Sequence, residues 1–382
     1  MLDLHPDTGL AAIAACGLKD EFDARTVECA EASIVADMDG SVLWRAEGNG
    51  TQPEISRHAL TKLLLSKLPD ECIRWEHKLL SARASASSEG ADANEFTLDF
   101  GSQEGGPVTA DLVIGADGAW SRTRPLLTDR VPHYSGRQMI TVTVPELTRR
   151  YPSLEAVVGS GSLIAVGDGN AIIGQRGLQG AARLYLVIST EDVNLASSSG
   201  LDRLSASEVK DVLLRPNGGG GGEGGRWRNF GGWGQEFKEL ITRALEDHAA
   251  TGEALDIKPM YMLPLGKLAW PHRAGVTLLG DAAHLMTPFG GEGVNLALKD
   301  ALDLAGAITQ AWDASNGEND VNVPSEKRNV FKAALDPLIE DSEKSMIARG
   351  DEAAAQTWSN LQAFFGKDAA KTIAALFQGF EG

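Results

Sequence analysis

Hydrophobic residues recur along this chain with two different periods. Leu10, Ile13, Ala14 and Leu18 fall at helical spacing after Thr8, a candidate N-cap. Leu60, Leu63, Leu64 and Leu68 do the same after Ser56 and predict a helix reaching about residue 68. Between them, residues 32–38 and 41–46 flank Asp39-Gly40, where a hairpin is expected because both turn positions accept a positive φ. Residues 73–100 read as short, partly polar strands with a polar loop near 86–94. At 111–118 an apolar strand breaks into a turn of small residues. Further strands are expected at 138–144, 162–166, 170–174 and 183–189, with Gly167-Asp168-Gly169-Asn170 turning the middle pair. Strand signal returns at 255–263 and 276–279. A helical pattern then runs from about residue 292 to 310, with Ala297, Ala301 and Ala305 spaced for close packing on a sheet, and most of 324–377 is helical.

Pro216 to Gly225 is rich in glycine. No strand feeds it and no Gly-Lys-Ser/Thr follows, so it reads as a flexible surface insertion and not a phosphate loop.

Composition narrows the function classes. The 382 residues are 43% hydrophobic and 23% charged, ordinary for a globular chain with two or three sub-domains. Lys and Arg number 35 against 53 Asp and Glu, a formal net charge of −18. That acidity argues against nucleic acid and against an electrostatic dock on anionic lipid. No apolar run approaches the roughly 18 residues that a membrane span needs. The start, Met1-Leu2-Asp3-Leu4-His5-Pro6-Asp7, lacks the basic and apolar regions of a secretory leader. Cys16, Cys29 and Cys72 are scattered, as suits reduced thiols, so a cytoplasmic location is expected. The histidines form no HExxH or Cys/His cluster, and no metal site is expected. There is no GxSxG elbow and no P-loop.

The sharpest chemistry lies in Gly280-Asp281-Ala282-Ala283-His284-Leu285-Met286-Thr287-Pro288-Phe289-Gly290-Gly291-Glu292-Gly293-Val294-Asn295. A short apolar strand ends in Gly-Asp, where a carboxylate can accept a hydrogen bond from a sugar hydroxyl. A Pro-Phe turn follows, and glycines then open a helix whose N–H groups and positive dipole end suit an anionic or electron-rich ligand edge. His284 reads as a hydrogen-bonding residue behind the loop rather than a base.

This pattern, GDAAHxxxPxxGxGxN, resembles the second FAD-binding motif of the group A flavin monooxygenases, the aromatic hydroxylase class. The resemblance implies that Asp281 binds the ribityl chain of FAD. It implies that Pro288, Gly291, Gly293 and Asn295, following Gly280, border the isoalloxazine ring. Gly115-Ala116-Asp117-Gly118-Ala119-Trp120-Ser121-Arg122-Thr123-Arg124 resembles the family's DG motif, which assigns Asp117 and Gly118 to the region of the pyrophosphate and implies use of NADPH or NADH. Lys267–Trp270 and Pro271 fit the family's lead-in to the second motif. Leu2-Asp3-Leu4-His5-Pro6-Asp7-Thr8-Gly9 and Pro53-Glu54-Ile55-Ser56-Arg57 resemble segments of the tetracycline-inactivating members, which makes Asp3 and Arg57 candidate FAD contacts.

The resemblance implies an α/β fold: a Rossmann-like FAD-binding domain of GR2 type, an inserted antiparallel substrate sheet and C-terminal helices. The expected division is 1–130 and 266–312 for FAD, 131–265 for the sheet, and 313–382 for the helical region. The family's opening GxGxxG unit, a βα unit and its next strand of roughly 50 residues, is not seen ahead of Leu2. The expectation is that the parallel sheet lacks its middle strand, leaves apolar edges and binds FAD weakly or not at all. The implied reaction is hydroxylation of a small aromatic or polycyclic compound by O2 through a flavin C4a-hydroperoxide, with no catalytic side chain required. Arg183 and Tyr185 are within reach of a pocket but read equally as ordinary sheet residues.

Overall fold

The computed structural model describes residues 2–26, 32–47, 53–85, 95–101, 106–216, 221–222, 225–316 and 324–379. Alternating residues between 133 and 189 build a sheet because each strand has two apolar faces to cover. Its seven strands lie in the order Asp256–Met262, His133–Val144, Ala182–Ser189, Asn170–Arg176, Ser162–Gly167, Ser33–Asp37, Val42–Ala46. All neighbours are antiparallel except Ser162–Gly167 and Ser33–Asp37, which run parallel. The early hairpin is therefore part of the inserted sheet. It turns at Gly40 (φ 97°), with the Asp37 carboxylate accepting from the N–H groups of Asp39 and Ser41. Only Gly40 uses the positive φ expected of both turn residues.

One face of the sheet carries Ile140, Val142, Leu184 and Leu186 and packs on the helices Ala206–Leu214 and Gln235–Ala249. The first of these helices opens on a capping box between Ser205 and Glu208. The other face carries Met139, Val166, Ala171 and Val187 and receives Phe289, Phe364 and the helix Ala369–Gly379.

A second, smaller layer is parallel: Val113–Gly115 pairs with Val276–Leu278. A three-stranded antiparallel sheet, Ser81–Ala84, Phe96–Asp99 and Val108–Ala110, lies beside it in sequence, and Leu2–Asp3 pairs with Glu54–Ile55.

Several local expectations change. Thr8 is not an N-cap: residues 6–10 form a π-type turn ahead of the helix Ala11–Ala15, and the Thr8 hydroxyl donates instead to Asn295. Ser56 does cap its helix, accepting from the N–H of Ala59, but the helix is Arg57–Leu65 and Leu68 stays exposed beyond it. In the helix Gly293–Asn316, Ala301 and Ala305 face outward. The buried stripe is Leu296, Asp300, Leu304, Ala307 and Ala311. Most of the glycine-rich 216–225 segment lies outside the described residues; its described part includes a two-residue pairing of Gly221–Gly222 with Gly225–Arg226.

Candidate active site

Two glycine–aspartate turns stand side by side because the strands that feed them are neighbours. Gly115 is opposite Leu278 in a parallel pair, so both chains leave at the same carboxyl end. That is where open α/β sheets receive ligands.

In the first turn Gly118 takes a φ of 78°, which a side chain would strain. The Asp117 carboxylate folds back on the turn. It accepts from the N–H of Arg122 (2.7 Å), the N–H of Thr123 (3.2 Å) and the Thr123 hydroxyl (3.3 Å). Burial pushes Asp117 up, but hydrogen bonds from Ser121 and from the backbone at Arg122 and Thr123 outweigh it. The carboxyl is left below its ordinary range.

The second turn is built differently. Gly280 has a φ of 54°, and a Cβ there would stand 3.0 Å from that of Ala297. The short helix Asp281–His284 follows. The Asp281 side chain is exposed and accepts no hydrogen bond among the described residues. A different carboxylate, Asp300, holds this turn. Its Oδ2 accepts from the Gly280 N–H (3.1 Å) and lies 2.6 Å from His284 Nε2. Arg349 Nη2 donates to its Oδ1 (3.2 Å). Asp300 and His284 are both buried, so His284 is a structural partner, as its sequence context suggested.

Arg124 ties the two turns together. Its Nε donates to Ala282 O (2.7 Å) and its Nη2 to Asp281 O and Ala119 O (2.9 Å each). Burial lowers its pKa, opposed by the charges of Asp117 and Asp281.

The loop beyond His284 rests on the helix Pro324–Phe365. A Cβ at Gly350 would meet that of His284 at 3.0 Å, so glycine permits this approach. Thr357 donates to Thr287 O (2.8 Å) and Asn360 to Phe289 O (2.9 Å). Earlier in the same helix, Glu343 accepts from Trp270 Nε1 (3.3 Å) and contacts His272 Nδ1 (2.7 Å), while His272 Nε2 meets Asp336 (3.1 Å). Burial alone would lower the His272 pKa; Glu343 and Asp336 override it and raise it.

Asn295, the last residue of the motif, is buried, and both ends of its side-chain amide are hydrogen-bonded. Its Oδ1 accepts from the His5 N–H (2.8 Å) and the Thr8 hydroxyl (3.3 Å), and its Nδ2 donates to Asp3 O (3.0 Å). It latches the first described segment onto the helix Gly293–Asn316. The latch brings Asp3 beside the glycine loop, where a Gly291 Cβ would stand 3.5 Å from its Oδ2. His5 Nε2 is 3.3 Å from that carboxylate. That bond, with the charge of Glu292, raises the His5 pKa against burial. Arg57 is exposed in the first turn of its helix, beside the strand that pairs with Leu2–Asp3, and has no partner among the described residues. Pro288 is exposed.

These residues fit FAD. Asp281 offers an unspent carboxylate for a sugar-chain hydroxyl, and Arg57 an unspent cation for phosphate oxygens. A Cβ at Gly293 meets nothing within 4 Å, so the backbone at the helix start is open to a ligand. Arg124, Asp300, Arg349, Thr357 and Asn360 were not assigned from sequence. Asp300 had a signal: a charged residue in the middle of a buried apolar stripe.

Parallel strands ending in two aspartate turns, joined to an antiparallel sheet, define a flavin-binding α/β oxidoreductase. The chain belongs to the FAD-dependent monooxygenases of aromatic hydroxylase type. Residues 234–334 match the FAD binding domain family. The chain is 35% identical to Monooxygenase penA of Penicillium thymicola over 97% of its own length and 86% of that protein. Its fold is similar to that of a salicylate hydroxylase substrate complex (TM-score 0.69, 17% identity, 99% of this chain and 86% of that one). It is also similar to tetracycline destructase Tet(55) (TM-score 0.60, 16% identity, 99% and 84%). Among the described residues no helix is long and apolar enough to cross a membrane.

Proposed function

We propose that this chain consumes NADPH or NADH and O2 to hydroxylate a small aromatic or polycyclic compound. The observation that carries the reading is the exposed Asp281 carboxylate, which accepts no hydrogen bond among the described residues, beside the open backbone at Gly293. Bound FAD would supply the redox chemistry, taking electrons from the nicotinamide and activating O2.

The chain's own groups bind, orient and exclude water. Asp281 would accept from the ribityl hydroxyls. Asp3, held by Asn295 and His5, lines the glycine loop at Gly291. Arg57 would meet the phosphates, and the turn at Asp117 and Gly118 would shape the pyrophosphate end and the nicotinamide approach. Pro288, Gly291 and Gly293 would border the ring, and the start of the helix Gly293–Asn316 would offer N–H groups to its electron-rich side. Phe289, Phe364 and Phe365 pack with Met260 against the sheet and form an apolar wall that keeps water from the reacting ring.

The test is the visible spectrum of the purified chain after FAD is added and excess removed, then NADPH and NADH oxidation with O2 uptake. Retained flavin and a product heavier by one oxygen atom support the reading. Reduction of flavin without oxygen incorporation assigns the scaffold to a dehydrogenase or oxidase instead. A chain that retains no flavin is an inactive member of the family.

A further inference from the structure

The first aspartate turn presents two exposed side chains to solvent. Ser121, buried between them, closes the turn: its hydroxyl accepts from the N–H groups of Thr123 (3.1 Å) and Arg124 (2.9 Å). Trp120 and Arg122 flank it on either side. The Trp120 side chain is 59% exposed, although an indole is the kind of group that folding ordinarily covers. Among the described residues its ring meets Tyr261 of the strand Asp256–Met262, 4.9 Å away at 74°. Tyr261 is met in turn by Tyr134 at 6.2 Å. The near-perpendicular contact orients the indole and leaves most of it open.

Arg122 gives its backbone N–H to Asp117 (2.7 Å), but its guanidinium has no partner among the described residues. It is a free cation in a chain whose formal net charge is −18. A phosphorylated ligand is repelled by such a chain as a whole, so it needs positive charge at the place where it docks. The two side chains are two positions apart, within about 7 Å at their Cα atoms. Leu263, just past the strand that holds Tyr261, donates to Leu285 O (2.8 Å) inside the second flavin motif. Trp120 and Arg122 therefore stand where both motifs meet the sheet.

We propose that Trp120 and Arg122 hold the adenosine end of the reductant, the base stacked on the indole and the 2′-phosphate on the guanidinium, and that this chain therefore selects NADPH over NADH. A nucleobase offers a flat face that stacks on an exposed aromatic ring. A guanidinium matches a phosphate with paired N–H donors. The 2′-phosphate sits on the ribose that carries the base, so neighbouring side chains must meet the two. FAD also carries an adenosine, but it has no 2′-phosphate, and that group separates the two sources. The inference rests on the nicotinamide-consuming reading above.

The experiment is calorimetric titration of the full chain, with FAD in excess so that its own adenosine site is filled. The probes are adenosine 2′,5′-bisphosphate and adenosine 5′-monophosphate, which differ by the one phosphate. The expected result is that the bisphosphate binds about tenfold or more tightly than the monophosphate. Arg122→Gln should abolish that ratio, and Arg122→Lys should keep part of it. Trp120→Ala should weaken both probes by about fivefold or more and leave their ratio unchanged, while Trp120→Phe should keep most of the affinity. Flavin retention and the thermal midpoint should not move in any of the four variants. Equal affinity for the two probes, no binding of the bisphosphate, or a ratio that survives Arg122→Gln overturns the proposal. So does a Trp120→Ala variant that binds both probes as the parent does. A parent chain that oxidises neither NADPH nor NADH refutes the reading above instead, and the probe ratio, which needs no turnover, still decides the site.

Discussion

The two aspartate turns share a position at the end of paired parallel strands and differ in how they are held. Asp117 caps its own turn, taking bonds from Arg122 and Thr123. The Asp281 carboxylate accepts no hydrogen bond from its own turn among the described residues; Asp300, nineteen residues on and in the next helix, takes the Gly280 N–H and His284 in its place. A carboxylate that closes its own turn is stabilised where it stands and has less left for a ligand. A carboxylate whose turn is closed by another residue keeps its lone pairs for a ligand. The scaffold thus separates holding from binding at the second turn and combines them at the first.

The largest expected effect comes from the residue that does the holding. Asp300→Ala strips a buried partner from His284, from the Gly280 N–H and from one arm of Arg349 at once. The cost should be about 3–5 kcal/mol of unfolding free energy, read by urea denaturation of the flavin-free chain. FAD affinity should fall as well, because the backbone on both sides of Asp281 loses its restraint. A loss below about 1 kcal/mol would mean that the turn is held by its neighbours alone.

The turns should also weaken at opposite ends of the pH scale. The second turn leans on the helix Pro324–Phe365, which is strapped to its lead-in by His272 between Glu343 and Asp336. The raised His272 pKa means that the folded state holds this proton more tightly than the unfolded chain. Its contribution is complete below the unfolded value of about 6.5 and is lost as pH rises through the folded one. His272→Gln should therefore cost about 1–2 kcal/mol near pH 6 and less at higher pH. A mutational cost that does not change with pH would break the assignment.

Asp117 has the reverse sign. Its lowered pKa gives a contribution that is present above the unfolded value of about 3.9 and lost as pH falls through the folded one. The side chain is exposed, so water screens it and Asp117→Asn should cost only about 0.5–1 kcal/mol at neutral pH. The difference from wild type should close in acid. An equal cost at both pH values would mean that the turn depends on shape and not on charge.

Much of this was legible in sequence because it is written in local periodicity and turn chemistry. The strands from 133 to 189, the Ser56 cap and the Asp39-Gly40 hairpin each depend on residues a few positions apart. Asp281 and Asp117 stood out for the same reason. The supports did not, because they are set by tertiary contacts. Thr8 has the residue type of a cap, but its hydroxyl serves Asn295. Ala297, Ala301 and Ala305 have the spacing of a packing stripe, but the helix turns the Asp300 side inward toward His284 and Arg349.

The smallest expected effect on the fold is the sharpest test of the comparison. Asp281→Ala removes a carboxylate that accepts no hydrogen bond among the described residues. Its helix, its glycine and Arg124's bonds to the carbonyls of Asp281 and Ala282 all remain. The unfolding free energy of the flavin-free chain should move by no more than about 0.5 kcal/mol. FAD affinity, followed by quenching of flavin fluorescence, should nonetheless fall about tenfold or more, the worth of a charge-assisted hydrogen bond. In the double variant with Asp300→Ala the affinity losses should not add, because Asp300 acts on FAD through Asp281. Additive losses would mean that Asp300 shapes the flavin site by another route, and that the division between the holding and the binding carboxylate does not exist.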